Sequence, residues 1–311
     1  MSRFAVLGGG GFLGVNLCRF LLQAGHEVTS FGRSMPFQRV LAGCECIEGD
    51  YRDQAAVGRA IHRADVVFHL ISDSTPQAAN ADMVMDIENN LVPTVSLLKT
   101  CAETGIRRVI FISSGGTVYG RVQSIPIHED APIEPITAYG VTKVSIEKYL
   151  AIFEYLHGLD YRVVRLANPY GPFQRSAKGQ GVIAAFVERI VDNRPLEIWG
   201  DGNVVRDYIF VDDAMEALVA AANDTSSHRV FNVGSGIGHS LNDLVRELES
   251  LLGRPLKVAY RQGRPVDVPV NVLAIQRARD VLGWAPRTDM RRGLEATLGW
   301  ASSWMAQGVT V

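Results

Sequence analysis

The chain has 311 residues, is 47% hydrophobic and 21% charged, and carries a formal net charge of −2. That length holds a sizeable core, as one large α/β unit or two unequal lobes, and the near-neutral charge gives no electrostatic basis for a nucleic-acid partner. No apolar run reaches bilayer length, Met1-Ser2-Arg3 leads straight into an apolar strand, and the four cysteines match neither a zinc cluster nor a redox pair; a cytoplasmic protein with no metal and no membrane partner is expected.

Phe4-Ala5-Val6-Leu7 reads as a short buried strand, followed by Gly8-Gly9-Gly10-Gly11-Phe12-Leu13-Gly14 and a helical repeat through Leu17, Phe20 and Leu21. Strand character resumes from His26 to Phe31. Strand, glycine loop, helix and strand in this order form a dinucleotide-binding half, in which glycines let the backbone approach a pyrophosphate and the helix end offers unpaired N–H groups. Gly8, Gly11 and Gly14, with Phe12 and Leu13 between them, are therefore candidate cofactor residues.

An acid at the end of the second strand would hold the ribose of NAD. The chain has Phe31-Gly32-Arg33-Ser34 there instead. Arg33 suits a 2′-phosphate, which favours NADP on local chemistry and leaves NAD or NADP open. Asp50, in Gly49-Asp50-Tyr51, is a candidate acceptor for the adenine amine, with Tyr51 beside it.

Val66 to Ile71 is a further strand, with His69 expected as a hydrogen-bonded core histidine, and Ser72-Asp73-Ser74-Thr75-Pro76 opens a loop placed to line the cofactor crevice. From Asp86 an amphipathic helix is expected to bury Ile87, Leu91, Val95 and Leu98, with Pro93 predicting a kink or a later start. Val109 to Ile112 delivers Ser113-Ser114-Gly115-Gly116-Thr117-Val118-Tyr119-Gly120 to the carboxyl edge of the sheet, where ligands bind. Ser114 and Thr117 are the candidate hydroxyls.

Tyr139-Gly140-Val141-Thr142-Lys143 opens a helix continued by Ile146, Leu150 and Phe153. Tyr139 and Lys143 then lie one turn apart, and the ammonium is expected to favour phenolate and to fit Tyr139 for acid or base work near neutral pH. The two long helices, this one and the one after Asp86, are also expected to pair with their mates in a homodimer.

Composition turns toward Gly, Pro and Asn after Ala167. The expected architecture is α/β: a Rossmann-like doubly wound parallel sheet from residues 1–167 plus about 206–235, and a smaller mixed α/β substrate lobe from about 168–205 plus 236–311. Arg206 and Arg264 are the cations suited to a diphosphate, because guanidinium meets phosphate bidentately.

In the order of these motifs the chain resembles the extended short-chain dehydrogenases/reductases, in the branch of nucleotide-sugar epimerases and dehydratases typified by UDP-glucose 4-epimerase. The anchors are Gly8 through Gly14, Ser113 through Gly120, Tyr139 through Lys143, Asn168-Pro169, Arg206-Asp207-Tyr208 and Arg264 through Asp267. The resemblance implies a tightly bound nicotinamide cofactor, Tyr139 exchanging the proton of a sugar hydroxyl, and Lys143 holding the nicotinamide ribose. It also implies that Asn168 positions a UDP-sugar or other nucleotide-sugar substrate, that Arg206 and Arg264 hold its diphosphate, and that Tyr208 packs near the nucleotide.

Two positions depart from the family pattern. Gly115 stands where the family places a serine or threonine, so the hydroxyl is expected from Thr117 or, second, from Ser114; Gly32-Arg33 replaces the acidic strand end. The loop also lacks the acids of the family's dehydratases. Carbon-four epimerisation is the leading expectation, and NADPH-dependent reduction of a 4-keto nucleotide sugar the alternative. A cofactor-sensing protein without catalysis is disfavoured by the joint presence of Tyr139 and Lys143.

Overall fold

The computed structural model describes residues 2–122, 124–176, 181–263 and 268–306. Apolar runs bounded by glycine, turn residues and caps set the first half in alternation: β1 (Arg3–Leu7), α1 (Phe12–Gln23), β2 (Glu27–Gly32), β3 (Glu45–Glu48), α2 (Gln54–Ile61) and β4 (Val66–His69). Next come α3 (Pro76–Ala81), α4 (Met83–Asp86), a π-helical turn (Ile87–Leu91), α5 (Val92–Thr104), β5 (Arg108–Ser114), α6 (Ala138–His157) and β6 (Asp160–Leu166). The remainder is β7 (Asn168–Tyr170), α7 (Val182–Val191), β8 (Leu196–Trp199), β9 (Val205–Phe210), α8 (Val211–Asn223), β10 (Val230–Val233), β11 (Gly238–Ser240), α9 (Leu241–Leu252), β12 (Val258–Arg261), β13 (Val270–Asn271), α10 (Gln276–Leu282) and α11 (Met290–Ala306).

Seven strands form one parallel sheet in the order β10-β6-β5-β4-β1-β2-β3. Because β1 lies between β4 and β2, the order reverses beside it, and the crevice at the carboxyl ends of these strands opens at that switch point. Two apolar clusters cover the faces, one joining α1 and α8 to the sheet and the other joining α2, α5 and α6. Strands buried on both faces explain the continuous apolar runs of the sequence.

A third core, built around Tyr170, Phe186, Ile198, Tyr208 and Leu248, belongs to the smaller lobe. There β9 pairs with β7, β11 and β13, and α8 follows it directly to pack on the large sheet. The break at Pro93 is a later helix start: α5 begins at Val92, after the π turn. That wider turn rotates the start of the pattern, so Asp86 and Asn90 point inward while Ile87 is exposed, against the expectation for Ile87; Leu91 packs on the core and Leu98 is buried as expected.

Candidate active site

The glycine loop is shaped by close approach. Gly8 has φ +95°, and its N–H and that of Gly9 both donate to the Phe31 carbonyl, at 2.8 and 2.9 Å. A Cβ on Gly14 would stand 2.1 Å from the Gly8 carbonyl oxygen, and one on Gly10 would stand 2.0 Å from that of Ser34. α1 starts at this loop with no side-chain cap and no acid in its first turn, leaving its N–H groups to an anion.

A cleft of about 260 Å³ opens above the loop, and Gly8, Gly11, Arg33, Asp50 and Tyr51 all line it. Gly14 lies beneath as the close-packing residue, while Phe12 and Leu13 pack their side chains on the core. Arg33 donates to Asp73 at 2.5 Å, so a 2′-phosphate would compete with that carboxylate for it. Asp50 is likewise engaged, by Arg52 at 2.6 Å, whose hydrogen bonds hold its carboxyl down at about 2. The Tyr51 hydroxyl turns inward to Thr94 and His69, and burial raises its proton affinity. His69 is a core residue, as expected: it hydrogen-bonds through Nε2, and burial, then the Lys143 charge, push it down to about 3.

Ser72 belongs to the lining of the cleft and lies close enough to the Tyr139 phenol to lower its proton affinity, so that side of the cleft borders α6. The start of α6 is fixed by Thr137, whose Oγ1 accepts from the Gly140 N–H at 3.2 Å, and by Asn80, whose Oδ1 accepts from Ala138 N–H at 2.8 Å. Lys143 is buried, donates to the Ile112 carbonyl at 2.9 Å and lies 5.5 Å from the Tyr139 ring centroid. Burial lowers its pKa to about 8 even though Asp86 and Glu147 both pull it upward.

The expected lowering of the Tyr139 pKa is overturned. Burial raises it first, Asp86 adds to the rise, and Ser72 opposes it. The ammonium stands over the ring face and leaves the hydroxyl without a direct partner charge. In this protein, therefore, the phenol is the favoured form, and ionisation awaits a further positive charge.

The hydroxyl loop meets the same helix. A Cβ on Gly140 would stand 2.7 Å from the Thr117 carbonyl oxygen, which places Thr117 against the first turn of α6. Thr117 Oγ1 is buried without a hydrogen-bond partner among the described residues, an arrangement that costs stability unless a ligand completes it. Ser114 ends β5, half-buried. The space above Gly115 is filled by Leu273, whose Cδ1 would stand 2.5 Å from an added Cβ, so no side chain fits there without repacking.

In the smaller lobe, Asn168 donates to the Asp207 carbonyl at 2.9 Å and sits opposite Tyr208 in the β7–β9 register. Arg206 donates to the carbonyls of Val205 and Val268, at 2.9 and 2.7 Å. Tyr208 is buried in that lobe's core, and burial pushes it up to about 12. Arg264 and Asp267 lie outside the described residues. Asp207, given no role of its own in the sequence, is fully buried and accepts from the N–H groups of Ser235, Gly236 and Leu273, so it ties β9 to the segments after β10 and β13. Asn89 and Arg52 of the cleft and buried Asp86 were also missed; the Asn89-Asn90 pair inside an apolar repeat was their one signal.

The sequence model of the NAD dependent epimerase/dehydratase family matches residues 4–234. UDP-glucose 4-epimerase of Mycolicibacterium smegmatis is 34% identical over 95% of this chain and 97% of its own. A dTDP-4-dehydro-6-deoxyglucose reductase of Escherichia coli is 32% identical over 75% of this chain and 74% of its own. Among solved structures, UDP-glucose 4-epimerase of Thermotoga maritima with UDP-glucose superposes with a TM-score of 0.93 at 31% identity, covering 97% of this chain and 99% of that one.

Proposed function

The chain belongs to the NAD-dependent epimerase/dehydratase family and is an enzyme, and from that premise we propose that it interconverts nucleotide sugars epimeric at carbon four. The observation that carries the reading is the packing around the first turn of α6: the Lys143 ammonium lies 5.5 Å from the Tyr139 ring centroid, the Thr117 backbone closes on Gly140, and the Thr117 hydroxyl has no partner among the described residues. Whole-chain likeness to UDP-glucose 4-epimerases supports it.

The Gly8–Gly14 cradle fits a dinucleotide: Gly10 and Gly14 leave no room for a Cβ in the tight loop, Gly8, Gly10 and Gly11 line the cleft, and the start of α1 has no side-chain cap. Lys143 would hold the nicotinamide ribose, and Arg33 and Asp50 would face the adenosine. When bound, the oxidised nicotinamide supplies hydride acceptance and a fixed positive charge. Tyr139, as phenolate beside that charge, would take the sugar's carbon-four hydroxyl proton and return it at the end, while Thr117 would hold the oxygen in line. Asn168, Arg206, Arg264 and Tyr208 would hold the nucleotide sugar while its ring turns over. NAD is the family's cofactor; the Arg33–Asp73 pair leaves room for NADP only if that ion pair opens.

A second reading rests on the reductase relative and on Arg33 replacing an acid: reduction of a 4-keto nucleotide sugar with net consumption of reduced cofactor. Incubation with UDP- and dTDP-sugars in the presence of either oxidised cofactor decides between the two. Appearance of the carbon-four epimer without accumulation of reduced cofactor is the expected result; turnover only of a 4-keto sugar, one reduced cofactor per product, supports the second.

We also propose a homodimer through α5 and α6. Tyr155 is 88% exposed and Leu156 62%, and exposed Met83, Val92, Val141 and Ile152 extend the apolar face over the same layer. Apolar exposure of this kind marks an interface. Light scattering should give twice the chain mass, and Leu156→Glu should halve it.

A further inference from the structure

Asp86 is 3% exposed, yet no lysine or arginine of the described residues forms a salt bridge with it. Its oxygens are met by neutral donors from three segments. Oδ2 accepts from Thr142 Oγ1 at 2.6 Å; Oδ1 accepts from Asn90 Nδ2 at 3.0 Å and from Ser74 Oγ. Asn90 Oδ1 in turn accepts from the Asp73 N–H at 2.8 Å. Thr142 lies between Tyr139 and Lys143 on α6, and Ser74 accepts through its carbonyl from the hydroxyl of Ser72, the residue that lowers the proton affinity of the phenol. The π turn exists at the point where it turns Asp86 and Asn90 inward, a local distortion common at functional sites. Burying a carboxylate with neutral partners alone is costly, and the cost calls for a use.

We propose that Asp86 is the positioning residue of this active site: it clamps α6 to the Ser72–Ser74 loop and acts as the buried counter-charge that sets the protonation state of the Tyr139–Lys143 pair. This rests on the assignment of Tyr139 and Lys143 as the proton-handling pair. The charged and titratable groups around it are few. From α6 they are Tyr139 and Lys143, with Glu147 a turn further on and neutralised by Arg165 at 2.7 Å. From β4 there is His69, kept uncharged by burial; Asp73 is paired with Arg33, and Asp82 and Glu88 on the adjoining turns are exposed. Asp86 therefore acts on the pair without competition from another unpaired buried charge in its surroundings. Its carboxylate disfavours phenolate and favours ammonium, so both members of the pair release protons at higher pH than they would without it.

The test is a pH titration of tyrosinate absorbance in the NAD-bound protein, with Tyr139→Phe as the blank, a readout independent of which sugar is the substrate. Asp86→Asn keeps the shape and removes the charge, and should move the Tyr139 midpoint down by at least half a pH unit. Asp86→Ser, which leaves room for a water, must move it the same way. Thr142→Val keeps the charge and loosens the clamp; it should leave the midpoint in place while kcat falls at least threefold with KM little changed. An unmoved midpoint in either Asp86 variant overturns the electrostatic role, and wild-type kcat in Thr142→Val overturns the clamp. If no sugar in the panel is turned over, the titration still decides the charge effect, so its failure and that of the proposed activity are separable.

Discussion

Where the cleft opens to solvent, Arg33 pairs with Asp73 and Arg52 with Asp50, and both arginine side chains are more than 60% exposed. At the Tyr139 end, Lys143, Asp86 and Glu147 are each at most 6% exposed. Charges at the first end are matched pairwise and screened by water and salt, so they steer and discriminate but shift equilibria little. Charges at the second act through a low-dielectric interior, where one carboxylate changes the proton affinity of its neighbours. On the proposed function, recognition would fall to replaceable surface pairs and proton chemistry to the buried set, where a substitution is expected to cost more.

The sharpest break of this contrast is at Tyr139. Tyr139→Phe should lower kcat by roughly 10²- to 10⁴-fold, the usual worth of a general acid–base group, without weakening cofactor binding. Thr117→Val should follow with a loss of about tenfold or more, as expected when a hydrogen bond to the reacting group is removed, while Ser114→Ala falls less. The reverse order of those two in steady-state assays would move the relay to Ser114.

Lys143 gives two properties that run in opposite directions with pH. On the proposed mechanism Lys143 acts as the ammonium, so the rate should fall as pH rises through about 8. Stability has the other sign: the folded pKa lies below the free-lysine value of 10.5, the unfolded chain binds the extra proton between the two, and the lysine's contribution therefore becomes more favourable as pH rises across that window. Thermal melts of the wild type minus those of Lys143→Met isolate that term. The smallest effect is expected at the rim, where Arg33→Ala should leave kcat with NAD within about twofold, as surface pairs do, and lower any use of NADP.

Much of this was legible from local pattern. Continuous apolar strands, the Gly8–Gly14 spacing and the Tyr139–Lys143 separation are fixed by backbone period and by glycine's lack of a Cβ, which a sequence displays directly. The Tyr139 proton affinity was read with the wrong sign because sequence shows the neighbouring lysine but not the burial that outweighs it. Asp86 was hidden by the π turn, which turns an apparent solvent-facing acid into the core and brings Ile87 out. The absence of a hydroxyl at Gly115 was visible, whereas its reason, Leu273 arriving from 158 positions later to fill that space, depends on tertiary packing.

The most direct measurement follows a deuterium label. A nucleotide sugar deuterated at carbon four, incubated with the enzyme and unlabelled NAD, should yield the carbon-four epimer with the deuterium retained at that carbon and no net change in reduced cofactor. Loss of the label from an epimer product, or conversion only when reduced cofactor is consumed one for one, would contradict the account.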